Sequence, residues 1–312
     1  MGEELKKLFM LCESMSEKDA EVLGVSTTNG NRFLANCKWD GERLITFKMG
    51  NEVLLYNRRG SEVSYHFPEV CSELAKLPFN CWLDGEVISR DDDFTKLQSR
   101  ALTRNPTKIK ALIEKIPVTY MVFDILKFDT EDIRDEKLSD RIIKLNELFK
   151  DFSGDKNIVA LTEYKPITEM LEKAKAEDRE GIIVKDMNSY YASGRRVDSW
   201  RKCKRWLETD IVFTKYTTNP SGIRIETDDG VVSCQVQGFE NSREVREILD
   251  KNGSVEVTIQ HLETFTRDDG KLSYRFPSYK KVVYPENSHN SEKSICELDT
   301  HILGDTKNDT TD

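Results

Sequence analysis

The sequence lacks long apolar runs, paired cysteines and an excess of positive charge. Among its 312 residues no apolar run approaches the ~18 residues of a membrane span. The first residues do not follow the basic-then-apolar pattern of a signal peptide. These absences argue against a membrane protein and a secreted one. We expect a soluble protein in an intracellular, reducing compartment.

Cysteine and histidine usage argues against disulfides, a structural zinc site and histidine catalysis. The seven cysteines include no Cys-x-x-Cys pair, which argues against a disulfide framework and a structural zinc site. Cys37 and Cys203 lie inside motifs described below, and we interpret both as small apolar filler. The four histidines lie outside those motifs. Histidine acid–base catalysis is therefore not indicated.

The formal net charge of −9 neither supports nor excludes a nucleic-acid partner, because the distribution of charge matters more than its total. Residues 285–312 alone hold seven acids and two lysines. This polar, acidic composition is typical of a disordered segment. We expect an acidic tail there.

Hydrophobic spacing predicts an α+β chain. Helices are expected over residues 3–23, 68–77, 138–150 and 166–177, and strands over 33–38, 44–48, 53–56, 79–88, 118–126 and 181–185. After Trp206, five strand-sized pieces and one helix are typical of a small closed β-barrel such as an OB fold. We therefore expect one domain over 1–206, a barrel over 207–284 and the tail over 285–312.

Residues 38–43, Lys-Trp-Asp-Gly-Glu-Arg, fit the pattern K-x-D-G-x-R. Asp-Gly is a common hairpin turn, so this string alone is weak. Here an apolar strand ends at Lys38, and we expect the Asp40-Gly41 turn to hold the lysine at a sheet edge. A lysine amine is a nucleophile only in its neutral form, which neighbouring cations or desolvation favour.

Four more patterns follow in order. Residues 82–87 read W-L-D-G-E-V, 122–126 read V-F-D-I-L, 179–185 read R-E-G-I-I-V-K and 200–205 read W-R-K-C-K-R. Each alone fits an ordinary strand. In the last, strand alternation places Lys202 and Lys204 on one face. Two adjacent cations are unfavourable unless an anion lies between them.

This ordered series resembles the covalent nucleotidyltransferases, and most closely the ATP-dependent DNA ligases of compact, viral or phage size. The resemblance covers about residues 34–280. It implies a nucleotidyltransferase (adenylation) domain with antiparallel sheets and flanking helices, followed by an OB-fold barrel. It also implies ATP and Mg²⁺ (or Mn²⁺) as cofactors, and nicked duplex DNA as the partner of a monomer.

The resemblance assigns roles to side chains. Lys38 would attack the α-phosphate of ATP, which Lys202 and Lys204 would neutralise, while Phe123 and Ile183 would hold the two faces of the adenine. Glu180 would coordinate the metal, and Glu86 would bind the ribose or help order the metal. The catalytic set is Lys38, Asp40, Arg43, Lys202 and Lys204. The nucleotide-binding set is Asn36, Cys37, Arg43, Glu86, Phe123, Ile183, Lys202, Lys204 and Lys281.

Expected DNA contacts come from three local matches. Arg58 corresponds to the family's arginine that contacts the 5′-phosphate at the nick, and Arg196 ends a Y-A-S-G-R-R loop similar to the family's Y-x-P-G-x-R. Residues 94–100 resemble F-Q-x-L-Q-x-R. On a helix, Lys96 and Arg100 would share a face suited to backbone phosphates.

The sequence departs from the family at two places. Asn36 stands where the family often has Glu, although its amide oxygen can still accept from the adenine amino group. Residues 275–279, R-F-P-S-Y, fit the last motif, but the basic pattern that should follow is weak. Lys281 could replace one of its arginines, whereas Val283 occupies the position of the other. How the pyrophosphate is handled stays open.

Two alternatives remain. An mRNA-capping guanylyltransferase or RNA ligase shares much of the motif order, although Trp200 before Lys-x-Lys favours a DNA ligase. A non-catalytic OB-fold nucleic-acid-binding protein would not need Lys38, Glu180 and the paired lysines together. An NAD-dependent ligase is disfavoured, because only 37 residues precede Lys38 and no zinc-binding cysteine pairs occur.

Overall fold

The structure is a computed structural model that describes residues 2–26, 32–267 and 269–284. The chain divides between Leu207 and Glu208 into two compact units, and each is described by itself. The expected tail, 285–312, lies outside the described residues. Within the residues that are described, no helix has the length and apolar character needed to cross a bilayer.

Unit 1 is a mixed α/β domain. Its helices are α1 (Gly2–Lys6), α2 (Glu17–Ser26), α3 (Pro68–Leu74), α4 (Phe94–Ala101), α5 (Pro106–Lys115), α6 (Leu138–Phe149) and α7 (Ile167–Ala176), with a 3₁₀ turn at Ser64–His66. Its strands are β1 (Leu11–Met15), β2 (Phe33–Cys37), β3 (Glu42–Met49), β4 (Glu52–Asn57), β5 (Cys81–Ser89), β6 (Val118–Phe128), β7 (Glu131–Asp132), β8 (Val159–Leu161), β9 (Gly181–Asp186) and β10 (Arg196–Lys204).

These strands form two sheets. The four-stranded sheet has the order β1-β10-β9-β2, and the six-stranded sheet has the order β4-β3-β5-β6-β7, with β8 beside β6. The sheets are largely antiparallel, as expected, except that the pairs β1–β10 and β6–β8 are parallel. The largest core cluster lies on the six-stranded sheet under α3, α4 and α6, with Leu44, Leu83 and Val122 fully buried.

The single helix expected over residues 3–23 is replaced by α1, β1 and α2. The backbone N–H of Leu11 donates to the carbonyl of Arg195 at 2.8 Å, and β1 then pairs along β10. The Ser16 hydroxyl accepts from the backbone N–H of Asp19 at 3.1 Å and donates to its carboxylate at 2.6 Å, which starts α2 anew. Pairing with a distant strand therefore overrides the helical spacing.

The Asp40-Gly41 segment is not a hairpin turn. It connects β2 of the four-stranded sheet to β3 of the six-stranded sheet, whereas a hairpin would join two paired strands of one sheet. Gly41 is required by close approach: a Cβ there would lie 2.0 Å from the carbonyl oxygen of Val87 on β5. The lysine nevertheless lies at a sheet edge, since β2 is the outermost strand of its sheet.

Unit 2 contains β11 (Leu207–Phe213), β12 (Lys215–Asn219), β13 (Gly222–Glu226), β14 (Ser233–Gln237), α8 (Phe239–Asn252), β15 (Val255–His261), β16 (Glu263–Thr266), β17 (Leu272–Arg275) and β18 (Ser278–Val282). They form sheets of order β11-β15-β18 and β12-β13-β14, plus the hairpin β16-β17. Phe213, Ile225, Val236 and Val257 centre its core. The expected five strands missed β12 and β16, whose residues are almost all exposed, and β18, in which Val282 alone is buried.

Candidate active site

A cleft of about 610 Å³ opens in unit 1, and residues of both its sheets line it. The register of β2, β9 and β10 places Asn36, Ile183 and Lys202 in one row across the four-stranded sheet. The next row on that face joins Lys38 to Gly181 through a 2.9 Å backbone hydrogen bond, and Gly181 to Lys204. Strand alternation therefore presents these side chains on one face.

Glu180 connects two of the lysines. Its carboxylate accepts from the Nζ of Lys38 and lies 3.3 Å from the Nζ of Lys204. Gly181 permits this geometry. Its φ of +146° is a conformation that residues with a side chain rarely adopt, and a Cβ there would lie 2.1 Å from the carbonyl oxygen of Cys203. The nucleophile candidate thus lies beside one carboxylate and a second cation.

Lys202 lies in the cleft wall with Arg196. Burial lowers the pKa of Lys202, and the cations of Arg196 and Lys204 lower it further. Arg196 donates to the backbone carbonyl of Cys12, and neither Lys202 nor Arg196 forms an ion pair in the described part of the chain. This concentration of positive charge suits an anionic group such as a phosphate.

Glu86 lies in the opposite wall, on β5. Its backbone lies opposite that of Arg43 in the register of β5 and β3. Burial raises the pKa of Glu86 to about 8, although the charges of Lys38 and Arg43 oppose the shift. A cation placed against this carboxyl group would favour its charged form.

Aromatic rings and a buried lysine form the apolar end of the cleft. Phe123 and Trp200 meet edge to face at 6.2 Å between ring centroids. The Nζ of Lys185 lies 3.8 Å from the Trp200 ring centroid and 4.4 Å from that of Phe123. Burial lowers the pKa of Lys185 to about 7.

Tyr164 fixes this group of side chains. Its hydroxyl donates to the carbonyl of Phe123 at 2.6 Å and accepts from the Nζ of Lys185 at 2.8 Å. The sequence indicated neither residue as functional. Lys185 ends the motif at residues 179–185, and a lysine in an otherwise apolar strand could have indicated a functional role. No feature of the sequence around Tyr164 indicates one.

The Arg43 guanidinium is held by a buried carboxylate and a backbone carbonyl. Its Nε and Nη2 bind the two carboxylate oxygens of buried Asp84 at 2.9 and 2.7 Å, and its Nη1 donates to the carbonyl of Met10 at 2.8 Å. Tyr191 donates to the same carboxylate at 2.6 Å. Arg43 therefore supports the floor of the cleft between the two sheets. Asp40 is partly exposed and is not among the residues that line the cleft.

Two expected nucleotide contacts of β2 point in opposite directions. The Cys37 thiol lies on the far face of the sheet, packed with Ile182 and Cys203, and burial raises its pKa to about 12. Its side chain packs in the core, and a nucleotide contact stays a prediction for the backbone of Cys37, which is among the residues that line the cleft. The amide oxygen of Asn36 is buried, lines the cleft and has no hydrogen-bond partner among the described residues.

The expected DNA contacts separate into two groups. Arg58 lies in the cleft wall and forms no ion pair among the described residues. Lys96 is exposed and pairs with Asp91 at 2.5 Å. Arg100 contradicts the expectation of a shared exposed face: its side chain is fully buried, it pairs with Glu69 at 2.5 Å, and it donates to the carbonyl of His66 at 2.8 Å. It is a structural residue.

Lys281 lies on β18 of unit 2, opposite Thr258, with its side chain exposed. Its neighbour Lys280 forms an ion pair with Glu208, and Arg275 lies 3.8 Å from Glu263. Of the three cations expected around the last motif, two therefore already face a carboxylate.

The donors for a divalent metal are carboxylates. In the described ranges no three Asp, Glu, His or Cys side chains gather as a metal site. Mg²⁺ is commonly held by one or two carboxylates together with substrate phosphates. Glu86 and Glu180 fit that mode, which needs the nucleotide to complete it.

A lysine between a carboxylate and further cations, beside an apolar wall with a free amide acceptor, defines the site of a mixed α/β nucleotidyltransferase-like domain. The family model described as "ATP dependent DNA ligase domain" matches residues 9–204. The chain belongs to this family.

Individual relatives agree in the same region. The chain is 29% identical over 219 residues to "DNA ligase 2" of Thermofilum pendens, covering 66% of this chain and 35% of that protein. It is 26% identical over 265 residues to the "SPbeta prophage-derived DNA ligase-like protein LigB" of Bacillus subtilis, covering 81% and 93%. The chain thus spans about a third of the first relative and nearly all of the second.

A solved structure shows the same fold. The ligase domain from M. tuberculosis LigD superposes with a TM-score of 0.55 at 19% identity, covering 90% of this chain and 95% of that one. The mixed α/β nucleotidyltransferase-like fold expected from the motifs is confirmed.

Proposed function

We propose that this protein is an ATP-dependent DNA ligase that seals 3′-OH/5′-phosphate nicks in duplex DNA through a lysyl-AMP intermediate on Lys38. The observation that carries the proposal is that the carboxylate of Glu180 contacts the side-chain amines of both Lys38 and Lys204, with Lys202 in the neighbouring row of the sheet. The motifs, the family match and the relatives' names support the same reaction.

In the first step the Nζ of Lys38 attacks the α-phosphorus of ATP and pyrophosphate leaves. Glu180 accepts from that Nζ and can hold its proton as the phosphorus–nitrogen bond forms. Lys202 and Lys204 neutralise the charge that develops on the α-phosphate oxygens. Transfers of this kind are catalysed mainly by alignment and charge neutralisation, for which this cluster is suited.

The apolar end of the cleft is the proposed adenine site. Phe123 supplies an aromatic ring for stacking, and Ile183 covers the other face of the base. The amide oxygen of Asn36, which is buried without a partner in the described chain, accepts from the adenine amino group. A buried acceptor left unsatisfied costs about 1–3 kcal/mol, so a base bearing an amino group at that position is preferred.

In the second and third steps the reacting groups belong to DNA. The 5′-phosphate at the nick attacks the AMP phosphorus and frees Lys38, and the 3′-hydroxyl then attacks the activated 5′-phosphate and expels AMP. Arg58 and Arg196 are proposed to hold the 5′-phosphate. Mg²⁺ bound by Glu86, Glu180 and phosphate oxygens would supply further charge neutralisation.

Unit 2 is proposed to be an OB-type β-barrel that contributes Lys281 to the reaction with ATP. Its short antiparallel strands and single helix support this assignment. Action as a monomer is part of the same proposal.

The test is to incubate the protein with α-labelled ATP or GTP and Mg²⁺ and to measure label that survives denaturation. We expect labelling by ATP alone, none in Lys38→Ala, and sealing of a nicked duplex by the wild-type protein. Labelling by GTP instead would assign a capping guanylyltransferase, and sealing of nicked RNA alone an RNA ligase. Labelling of Lys38→Ala equal to that of wild type would overturn the proposal.

A further inference from the structure

The side chains of Lys38 and Glu180 meet at the point where the backbone pairing of β2 with β9 ends. The antiparallel ladder reaches Cys37, which lies opposite Ile182. One further hydrogen bond follows, from the backbone N–H of Lys38 to the carbonyl of Gly181 at 2.9 Å. The chain then leaves this sheet for β3 of the other one. Past this point, contacts between side chains are what can keep the two segments together.

Trp39 and Arg179 form such a contact. Trp39 follows Lys38 in the chain, and Arg179 precedes Glu180. The guanidinium carbon of Arg179 lies over the indole of Trp39, 4.9 Å from the ring centroid. A guanidinium within about 6 Å of an aromatic ring centroid is attracted by the face of the ring. The contact therefore joins the neighbour of the proposed nucleophile to the neighbour of the carboxylate that accepts from it.

Both members of this contact are held from the side of the six-stranded sheet. The indole N–H of Trp39 donates to the hydroxyl of Thr162 at 2.9 Å, and the backbone N–H of Thr162 donates to the carbonyl of Val122 on β6 at 2.8 Å. The Nη1 of Arg179 lies 2.5 Å from the carboxylate of Asp92, in the connection between β5 and α4. Trp39 and Arg179 thus link the segment around Lys38 to the opposite sheet at two points.

The backbone of Asp92 is itself in an uncommon conformation. Its φ is +57°, in the left-handed region, which few residues other than glycine adopt and in which aspartate and asparagine are enriched. Its N–H donates to the carbonyl of Ser89 at 3.1 Å. Conformations of this kind cluster at functional sites. Because asparagine suits the same backbone, Asp92→Asn removes the charge without disturbing the connection.

We propose that Arg179 is a positioning residue for the attack of Lys38 on ATP: it acts through Trp39, and Asp92 holds it in place. This inference rests on the proposed function, which makes Lys38 the nucleophile. Trp39 lines the cleft, whereas Arg179 is not among the residues that line it. Loss of Arg179 should therefore change the alignment of Lys38 and leave the binding of ATP intact. A small displacement of an attacking group lowers the rate of the chemical step.

The experiment measures single-turnover adenylylation over a range of ATP concentrations, using full-length wild type, Arg179→Ala, Arg179→Lys and Asp92→Asn. In Arg179→Ala the maximal rate should fall about tenfold or more, while the ATP concentration that gives half the maximal rate should change less than about threefold. Arg179→Lys should recover part of the rate, because it keeps a cation but loses the planar group that stacks on the indole. Asp92→Asn should lie between wild type and Arg179→Ala.

Two further variants separate this role from a general loss of charge. The double variant Arg179→Ala with Asp92→Asn should be no slower than Arg179→Ala, because the two residues act through one contact. Arg134→Ala is the matched control and should keep the wild-type rate. Its arginine also lies 2.5 Å from an aspartate, Asp132, and the two pairs are similarly exposed.

Sealing of a nick whose 5′ end is already adenylylated does not use Lys38 and should be unchanged in every variant. If Arg179→Ala slows both reactions equally, or adenylylates at the wild-type rate, Arg179 is not a positioning residue for Lys38. If Arg179→Ala does not fold, Asp92→Asn decides, since 52% of the Asp92 side chain is exposed; a wild-type rate in that variant overturns the inference. Failure of the wild-type protein to adenylylate would instead show that the proposed function is wrong.

Discussion

At the scale of single residues, Lys202 and Lys204 are distinguished by their partners. Lys204 faces the carboxylate of Glu180, whereas Lys202 faces other cations. Burial lowers the pKa of Lys202, and the cations of Arg196 and Lys204 lower it further. A bound anion would favour the charged amine in this position.

We expect Lys202→Ala and Lys204→Ala each to slow adenylylation more than tenfold, or by about 1.4 kcal/mol of transition-state stabilisation. Lys202→Ala should also leave the melting temperature unchanged or raise it, because a repelled cation is removed. The measurements are single-turnover labelling and thermal unfolding, with exposed Lys156→Ala as control. Wild-type labelling rates in both variants would make these lysines ordinary strand residues.

Lys185 makes stability depend on pH. Its pKa falls from 10.5 to about 7 in the folded protein, so between those values the unfolded chain binds more protons, and the free energy of unfolding rises with pH. Lys185→Met removes this contribution. Denaturant unfolding at pH 7, 8 and 9 should show the wild-type protein gaining stability relative to Lys185→Met. Parallel curves for the two proteins would contradict the assignment of a buried amine that releases its proton near neutrality.

At the scale of secondary structure, α4 is anchored by an arginine. Arg100 is buried, pairs with Glu69 and donates to the carbonyls of His66 and Ile116. Its removal leaves the partly buried Glu69 carboxylate without its ion pair and two carbonyls without their side-chain donor. These interactions join α4 to α3 and to the start of β6.

Arg100→Ala should therefore lower the free energy of unfolding by about 3–5 kcal/mol. Lys96→Ala, on the exposed face of the same helix, should cost less than about 1 kcal/mol. Denaturant titration of both variants measures the difference. An equally small decrease in Arg100→Ala would return that residue to the surface role that the sequence predicted.

The sequence predicted the strands of the candidate active site well, because their apolar runs and motifs coincide. It failed where pairing partners are distant. The apolar spacing of residues 3–23 fits a helix, but in the folded chain part of this segment forms β1, which pairs with the distant strand β10. Asp40-Gly41 fits a hairpin turn, but the strands before and after it belong to separate sheets. Tyr164 could not be found, since only the folded chain brings its hydroxyl to Phe123 and Lys185.

At the scale of the whole molecule, the two units are proposed to divide the reaction steps. Lys281 is the cation of the last motif that the described residues leave without an ion pair, whereas Lys280 faces Glu208. A cation that aligns the leaving pyrophosphate acts only in the reaction with ATP.

Lys281→Ala should therefore slow adenylylation by ATP and leave sealing of a nick with a pre-adenylylated 5′ end nearly unchanged. Lys280→Ala should have the smaller effect on the first reaction. Rates of both reactions are measured for both variants. Equal slowing of the two reactions by Lys281→Ala would make the residue a DNA contact.

The short segment between Lys38 and Arg43 also limits how such chains can diverge. Its two ends belong to different sheets, and residues of both sheets line the cleft. Replacing Trp39 or Glu42 changes a side chain but keeps the length of the backbone that connects the two sheets. One inserted residue lengthens that connection by up to about 3.5 Å. A library selected for activity should therefore keep more replacements at those two positions than insertions or deletions, so the length of this segment is inherited more strictly than its composition.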